Sequence, residues 1–224
     1  MAGAVTVLVG TTKGVFLLRS KAGRMGWQVS GPHCDGWPIN HVIGDPERGA
    51  LYAAGGGEFQ GAGVWRSTDG GETWTLSLLA NGMMDAMLAD NPGMAAYLGR
   101  GPMPDAPFKG RISALWSLGL SGGVLYAGAK PATLFASHDG GENWQEVEAL
   151  TDHPSRPDWE PGGAGLILHT IVSDPGDAGK LWVGISAAGV FATEDGGKSW
   201  ERRNRLSNEG DGHHDHHDHS HGEG

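Results

Sequence analysis

Between Asp152 and Glu160, six residues with chemical potential fall within nine positions: Asp152, His153, Arg156, Asp158, Trp159 and Glu160. Gly162, Gly163 and Gly165 follow, and then His169. Carboxylate, imidazole, guanidinium and indole together suit a polar or sugar-like ligand, with Arg156 fixing an anion and Trp159 stacking on a ring face. Asp152, Asp158 or Glu160 would serve as acid or base in a carboxylate-pair glycosidase. The same residues also read as a proline-pinned loop whose ion pairs hold its shape. His41 and His169 each stand a few residues before an Asp-Pro pair, offset by one position, and two such imidazoles could bind a metal or shuttle protons. The plainer reading has each satisfy a neighbouring carbonyl. Cys34 lies between His33 and Asp35, but no orienting partner for a Cys-His nucleophile is identifiable.

The elements that must position these groups announce themselves by repetition. STDGGETW (67–74) returns as SHDGGENW (137–144) and TEDGGKSW (193–200). An apolar run precedes each copy, so each reads as strand, tight turn, strand. A Ser or Thr hydroxyl and the carboxylates of Asp69, Asp139 and Asp195 can accept backbone N–H groups inside the turn. The paired glycines supply positive φ, and the tryptophan wedges against the neighbouring unit. The three Asp residues are therefore read as structural.

Ser/Thr-x-Asp-x-Gly-x-x-Trp resembles the Asp-box, or BNR, repeat found on the outer hairpins of β-propellers, which include sialidases and many non-enzymatic proteins. GPHCDGWPINH (31–41), DHPSRPDWEPGGAGLILH (152–169) and ISAAGVFATEDGGKSWERRNR (185–205) are similar to a bacterial family of such propellers, whose members often carry the label glycosyl hydrolase or exo-sialidase. The resemblance implies an all-β propeller. A sialidase of this kind needs three arginines on a carboxylate, a Tyr nucleophile paired with Glu, and an acid. The Phe/Tyr-Arg-Ile-Pro motif is absent; FKGRIS (108–113) is the nearest text. Tyr52 and Tyr126 sit in a repeated Leu-Tyr-Ala and read as packing, leaving Tyr97. A retaining sialidase is not expected here.

Reading backwards from each box gives units of four short strands, a to d from the axis outward, as in propeller blades. The N-terminal segment supplies b, c and d only, with KAGRMGW (21–27) as a degenerate box lacking Asp. Four blades are thus expected over residues 1–206, the first without its inner strand. Nothing after Arg205 can supply that strand, so the expectation is the front of a longer propeller, or closure with missing blades from another subunit.

The spacings of Trp27, Trp74, Trp144 and Trp200 place extra residues in the d-to-a connections, Leu79 to Gly110 and Ala149 to Gly165. In propeller geometry these share a face with the b-to-c loops, opposite the boxes. The ligand rim is therefore expected from 31–41, 79–110 and 149–169, with Trp37, His41, His153, Arg156, Trp159 and His169 as binding residues. Between Met83 and Leu98 at most a short helix is expected, because Asn91, Pro92 and Gly93 interrupt the pattern.

Composition sets the bounds. The chain has 224 residues, 40 of them glycine and nine tryptophan, with 19% charged, which suits a turn-dense all-β protein. The formal charge is −10, but residues 207–224 hold five acids and no Lys or Arg, leaving the body 16 basic against 21 acidic residues. That disfavours nucleic acid. One cysteine excludes an intrachain disulfide. The N-terminus lacks a basic region and a long apolar run, so neither signal peptide nor membrane span is expected and a cytoplasmic location is the default. Residues 207–224 read as a disordered acidic tail. His213, His214, His216, His217, His219 and His221 would bind Zn, Ni or Cu loosely, and no cofactor is required. The expected role is a binding or scaffolding propeller for a small polar or glycan-like ligand or a protein partner. A glycoside hydrolase is the alternative.

Overall fold

The structure, a computed structural model, describes residues 3–204. The expectations for residues 207–224, the metal-binding histidines included, fall outside the described residues. Within them, fifteen strands form four antiparallel sheets. The first holds β1 (Thr6–Thr11), β2 (Gly14–Ser20) and β3 (Trp27–His33). The second holds β4 (Ile39–Asp45), β5 (Ala50–Gly57), β6 (Gly61–Ser67) and β7 (Thr75–Asn81). The third holds β8 (Ala114–Ser121), β9 (Val124–Lys130), β10 (Leu134–Ser137) and β11 (Gln145–Glu146). The fourth holds β12 (Leu168–Asp174), β13 (Asp177–Ile185), β14 (Gly189–Thr193) and β15 (Glu201–Arg202). Each sheet pairs its strands in chain order, as propeller blades do. The first blade has three strands and begins at strand b.

The core lies between blades, one cluster at each junction. Side chains alternate across a strand, so an interior blade must be apolar on both faces. In β9, Leu125, Ala127 and Ala129 face the second blade while Tyr126 joins the cluster shared with the fourth. Near the axis the blades approach closely, and small residues allow it. A Cβ on Gly128 would lie 2.5 Å from the Leu168 carbonyl oxygen and 2.3 Å from Ser117 Oγ. Polar bonds stitch the inner strands there. Asn40 Nδ2 donates to the Leu115 carbonyl (2.8 Å), and Ser117 Oγ donates to that of Leu168 (2.8 Å).

The connection after β7 differs from the expectation of at most one short helix. It forms α1 (Met83–Asp90) and α2 (Pro92–Leu98). Asn91 and Pro92, which interrupt the apolar pattern, start the second helix: Asn91 Oδ1 accepts the Met94 N–H (3.1 Å) and Pro92 occupies the first turn. Leu88 is buried, while Met83 and Met87 are exposed.

The outer faces of the first and fourth blades lack a neighbour among the described residues. Trp182 precedes its box Thr193 in register as Tyr52 and Tyr126 precede Ser67 and Ser137. Yet Trp182 is 37% exposed, against 0% and 3% for the tyrosines. Val172 and Val190 beside it, and Val7, Trp27 and Val29 on the first blade, are exposed as well. No helix among the described residues is long and apolar enough to cross a membrane.

Candidate functional site

The box hairpins use their acids internally. Asp69 Oδ1 accepts the N–H groups of Glu72 and Thr73 (both 3.0 Å), and Thr73 Oγ1 donates to Oδ2 (2.5 Å). Asp139 and Asp195 repeat this with Asn143 and Ser199. Each box hydroxyl accepts the second glycine N–H, at 2.8, 2.7 and 3.0 Å in turn, and both glycines of each pair have positive φ. These hydrogen bonds to the charged form hold all three carboxyls well below the usual carboxylate range, the Thr73, Asn143 and Ser199 bonds being the largest cause in each. Trp74, Trp144 and Trp200 donate their indole N–H back to the second glycine carbonyl. Arg19 and Tyr126 reach from the preceding blade to the carbonyls of Gly70 and Gly196, so the boxes pin blade to blade.

On the opposite face, a cleft of about 830 Å³ opens between the second and third blades. Its walls are the β5–β6 loop, the connection from Asn81 to Ser113, and Pro131 of the β9–β10 loop. Glu58, Asp85, Asp105, Lys109 and Arg111 line it. Asp85 accepts from Asn81 Nδ2 (3.1 Å) and the Met103 N–H (2.9 Å), which tether α1 to the end of β7 and to the loop beyond α2. Asp105 pairs with Lys109 (2.6 Å) and Arg111 with Glu146. Glu58 stands exposed, with no ion pair or side-chain hydrogen bond among the described residues. Beside this cleft lies a smaller pocket of about 220 Å³, which shares Asp85 and Met103 with it and is lined by Trp37 and Trp65.

The loop densest in chemistry is filled by its own side chains. Trp159 is 5% exposed, its ring 4.8 Å from that of Phe191, and its Nε1 donates to Ser155 Oγ (2.9 Å). Arg156 lies 4.6 Å over the Trp159 ring and donates to the Ala132 carbonyl (2.9 Å). His153 packs edge-on against Phe191, and its Nδ1 accepts the Ser155 N–H (3.1 Å). Where a stacking platform and an anion clamp were expected, Trp159 is buried and half-buried Arg156 is bonded within the junction of the third and fourth blades. Asp152, Asp158 and Glu160 are exposed on this loop and line neither cleft nor pocket.

Residues 65–76 match the BNR/Asp-box repeat. Over 78 residues the chain is 31% identical to the oligoxyloglucan-reducing end-specific xyloglucanase of Emericella nidulans, covering 34% of this chain and 9% of that protein. The GH74 xyloglucanase from Xanthomonas campestris superposes with a TM-score of 0.56 at 21% identity, over 90% of this chain and 30% of that one. The GH74 enzyme of Niastella koreensis gives 0.47 at 14% identity, over 91% and 30%. This is an Asp-box β-propeller chain. It spans under a third of each of these relatives, and the likeness to the Xanthomonas campestris structure, at 21% identity, fixes the fold alone.

The remaining candidates take their places in the propeller. His41, on β4, accepts the Leu118 N–H of the next blade at Nδ1 (2.8 Å), and burial lowers its pKa from 6.5. It is a neutral acceptor between inner strands, not the carbonyl partner expected. His169 is exposed on β12 with Nδ1 2.8 Å from Thr170 Oγ1. Among the described residues, no group of three or more His, Cys, Asp or Glu side chains could hold a metal. Cys34 is buried, and desolvation, with the Asp35 charge, pushes its thiol up to about 12, so it is no thiolate nucleophile. Trp37, 7% exposed, lines the smaller pocket and not the cleft. Asp85 and Asp105 lie in the connection 79–110 expected on the rim, though neither is singled out there, and Glu58 comes from the short β5–β6 loop, which nothing in the sequence marks.

Proposed function

We propose that this chain is the ligand-binding part of an Asp-box propeller, holding a polar, glycan-like ligand in the rim cleft between its second and third blades. The carrying observation is that cleft: about 830 Å³, on the face away from the boxes, with exposed Glu58 among charged and apolar walls. Its size falls within the range of roughly 300–1,000 Å³ typical of small-molecule sites. A glycan array read with the intact chain tests this. Glu58→Gln is expected to weaken the selected glycan at least about tenfold, near 1.4 kcal/mol, at unchanged stability. Unaltered affinity, with no glycan turnover by the parent chain, would refute the cleft as the site.

A second reading, glycoside hydrolysis, is favoured by the 31% identity to a xyloglucanase over 78 residues and by further carboxylates, Asp85 and Asp105, in the same cleft as Glu58. Release of reducing ends from xyloglucan oligosaccharides, abolished by Glu58→Gln with binding retained, would select it over simple binding. The exposed faces around Trp182 and Trp27 are proposed to take further blades, from a longer chain or another subunit.

A further inference from the structure

We propose that the outer faces of the first and fourth blades are the two halves of one interface, and that a second copy of this chain occupies both, closing two four-blade chains head to tail into one ring. The proposal rests on the reading that these faces take further blades, and commits it to one occupant.

The internal junctions show what such a face receives. In the second blade, Tyr52 and Val64 are fully buried against the third, with Ile43 packed beside them. Strand register puts Val172, Trp182 and Val190 of the fourth blade at the positions of Ile43, Tyr52 and Val64, and all three are exposed. Over this face each junction seats the next blade's turn: Tyr126 Oη donates to the Gly196 carbonyl (3.5 Å), and Arg66 pairs with Glu142 (2.7 Å). The first blade carries the matching side. Val7 and Val29 stand where Ala53 and Leu76 pack in the first junction, and both are exposed.

Charge selects the occupant. Residues 20–27 span the same eight positions as 67–74 and keep the left-handed turn, with φ of 85° and 56° at Gly23 and Arg24 against 76° and 96° at Gly70 and Gly71. The three Asp-boxes are acidic, whereas this turn carries Lys21 and Arg24 and no acid. Between the second and third blades, Thr75 lines one hollow with Gly141 and Glu142 of the facing turn. Register makes Glu201 the fourth-blade equivalent of Thr75, and Arg24 stands in the place of Gly141. A second copy seated as the internal blades are therefore brings Arg24 to Glu201. Glu201 and Glu194 share Arg203 (2.9 and 3.9 Å), so this edge keeps a net negative charge that a basic turn complements and an acidic box would oppose. Met25, 86% exposed, takes the place of Glu142, and Ala192 that of Arg66, so an apolar contact replaces an ion pair. Each copy has one face of each kind, so two can close on each other. The eight blades that result fall within the usual range of about 4–8.

Sedimentation velocity of the full chain tests the pairing. A discrete dimer is expected, with no larger species. Arg24→Glu and Glu201→Arg should each weaken it at least tenfold, and the double variant should recover it, since the exchange restores opposite charges across the interface. Both side chains are exposed, so the fold is spared. A monomer at about 0.1 mM, a ladder of larger species, or a double variant no better than either single one would each overturn the proposal. A ladder or an unrescued double variant whose association still falls in Trp182→Asp would leave the faces as docking surfaces for other blades; a monomer would remove that reading as well.

Discussion

Asp139 shows how one side chain can serve folding so fully that little is left for chemistry. Both its oxygens accept bonds from residues three and four positions on. Its carboxyl is depressed in the fold, so the stability it supplies is complete above its ordinary value of 3.8 and is lost as pH falls below that. Asp139→Ala should lower stability by about 1 kcal/mol, below the roughly 1.5–3 kcal/mol of hydrogen bonds to a charged group because the site faces solvent. Urea unfolding as a function of pH checks this: the gap to the parent chain should be full near neutrality and shrink below about pH 4, whereas a gap that persisted undiminished would contradict it. Box chemistry was legible in the sequence because every partner lies within four residues. The cleft acids were not, because Glu58, Asp85 and Asp105 are neighbours only after the connection beyond β7 folds back. His41 was located on its strand, but its partner, Leu118, lies 77 residues away.

Among elements, the strands were legible because both period and box recur. The two helices were misread because Asn91 and Pro92 look like breaks when they are a cap and a first turn. The loop 152–160 reads two ways, as a binding site and as a loop holding its own shape, because residue types name a chemistry while packing, here of His153 and Trp159 against Phe191, decides which of them a ligand can meet. Packing between blades is the demanding part of the fold. Gly128→Val should cost about 3 kcal/mol, the upper end for overpacking, since the added carbons meet the Leu168 backbone and Ser117. Gly163→Ala, in open space, is the control. Thermal unfolding that treats the two alike would contradict the close approach of β9 and β12.

For the whole molecule, division of labour between two faces is the main feature: hairpin boxes rivet one side, and loops from neighbouring blades shape a cleft on the other. Trp182 occupies the position that Tyr52 and Tyr126 bury, and exposed apolar patches of this kind drive association. The chain made alone is expected to self-associate with rising concentration in sedimentation velocity, and Trp182→Asp to reduce it; a concentration-independent monomer would contradict that. The division itself is tested most directly by measuring stability and glycan affinity together in Glu58→Gln and Asp139→Ala. Lost affinity at full stability in the first, with reduced stability at full affinity in the second, is the predicted result. Lost affinity in Asp139→Ala, with Glu58→Gln binding as the parent does, would place recognition on the box face and contradict the account.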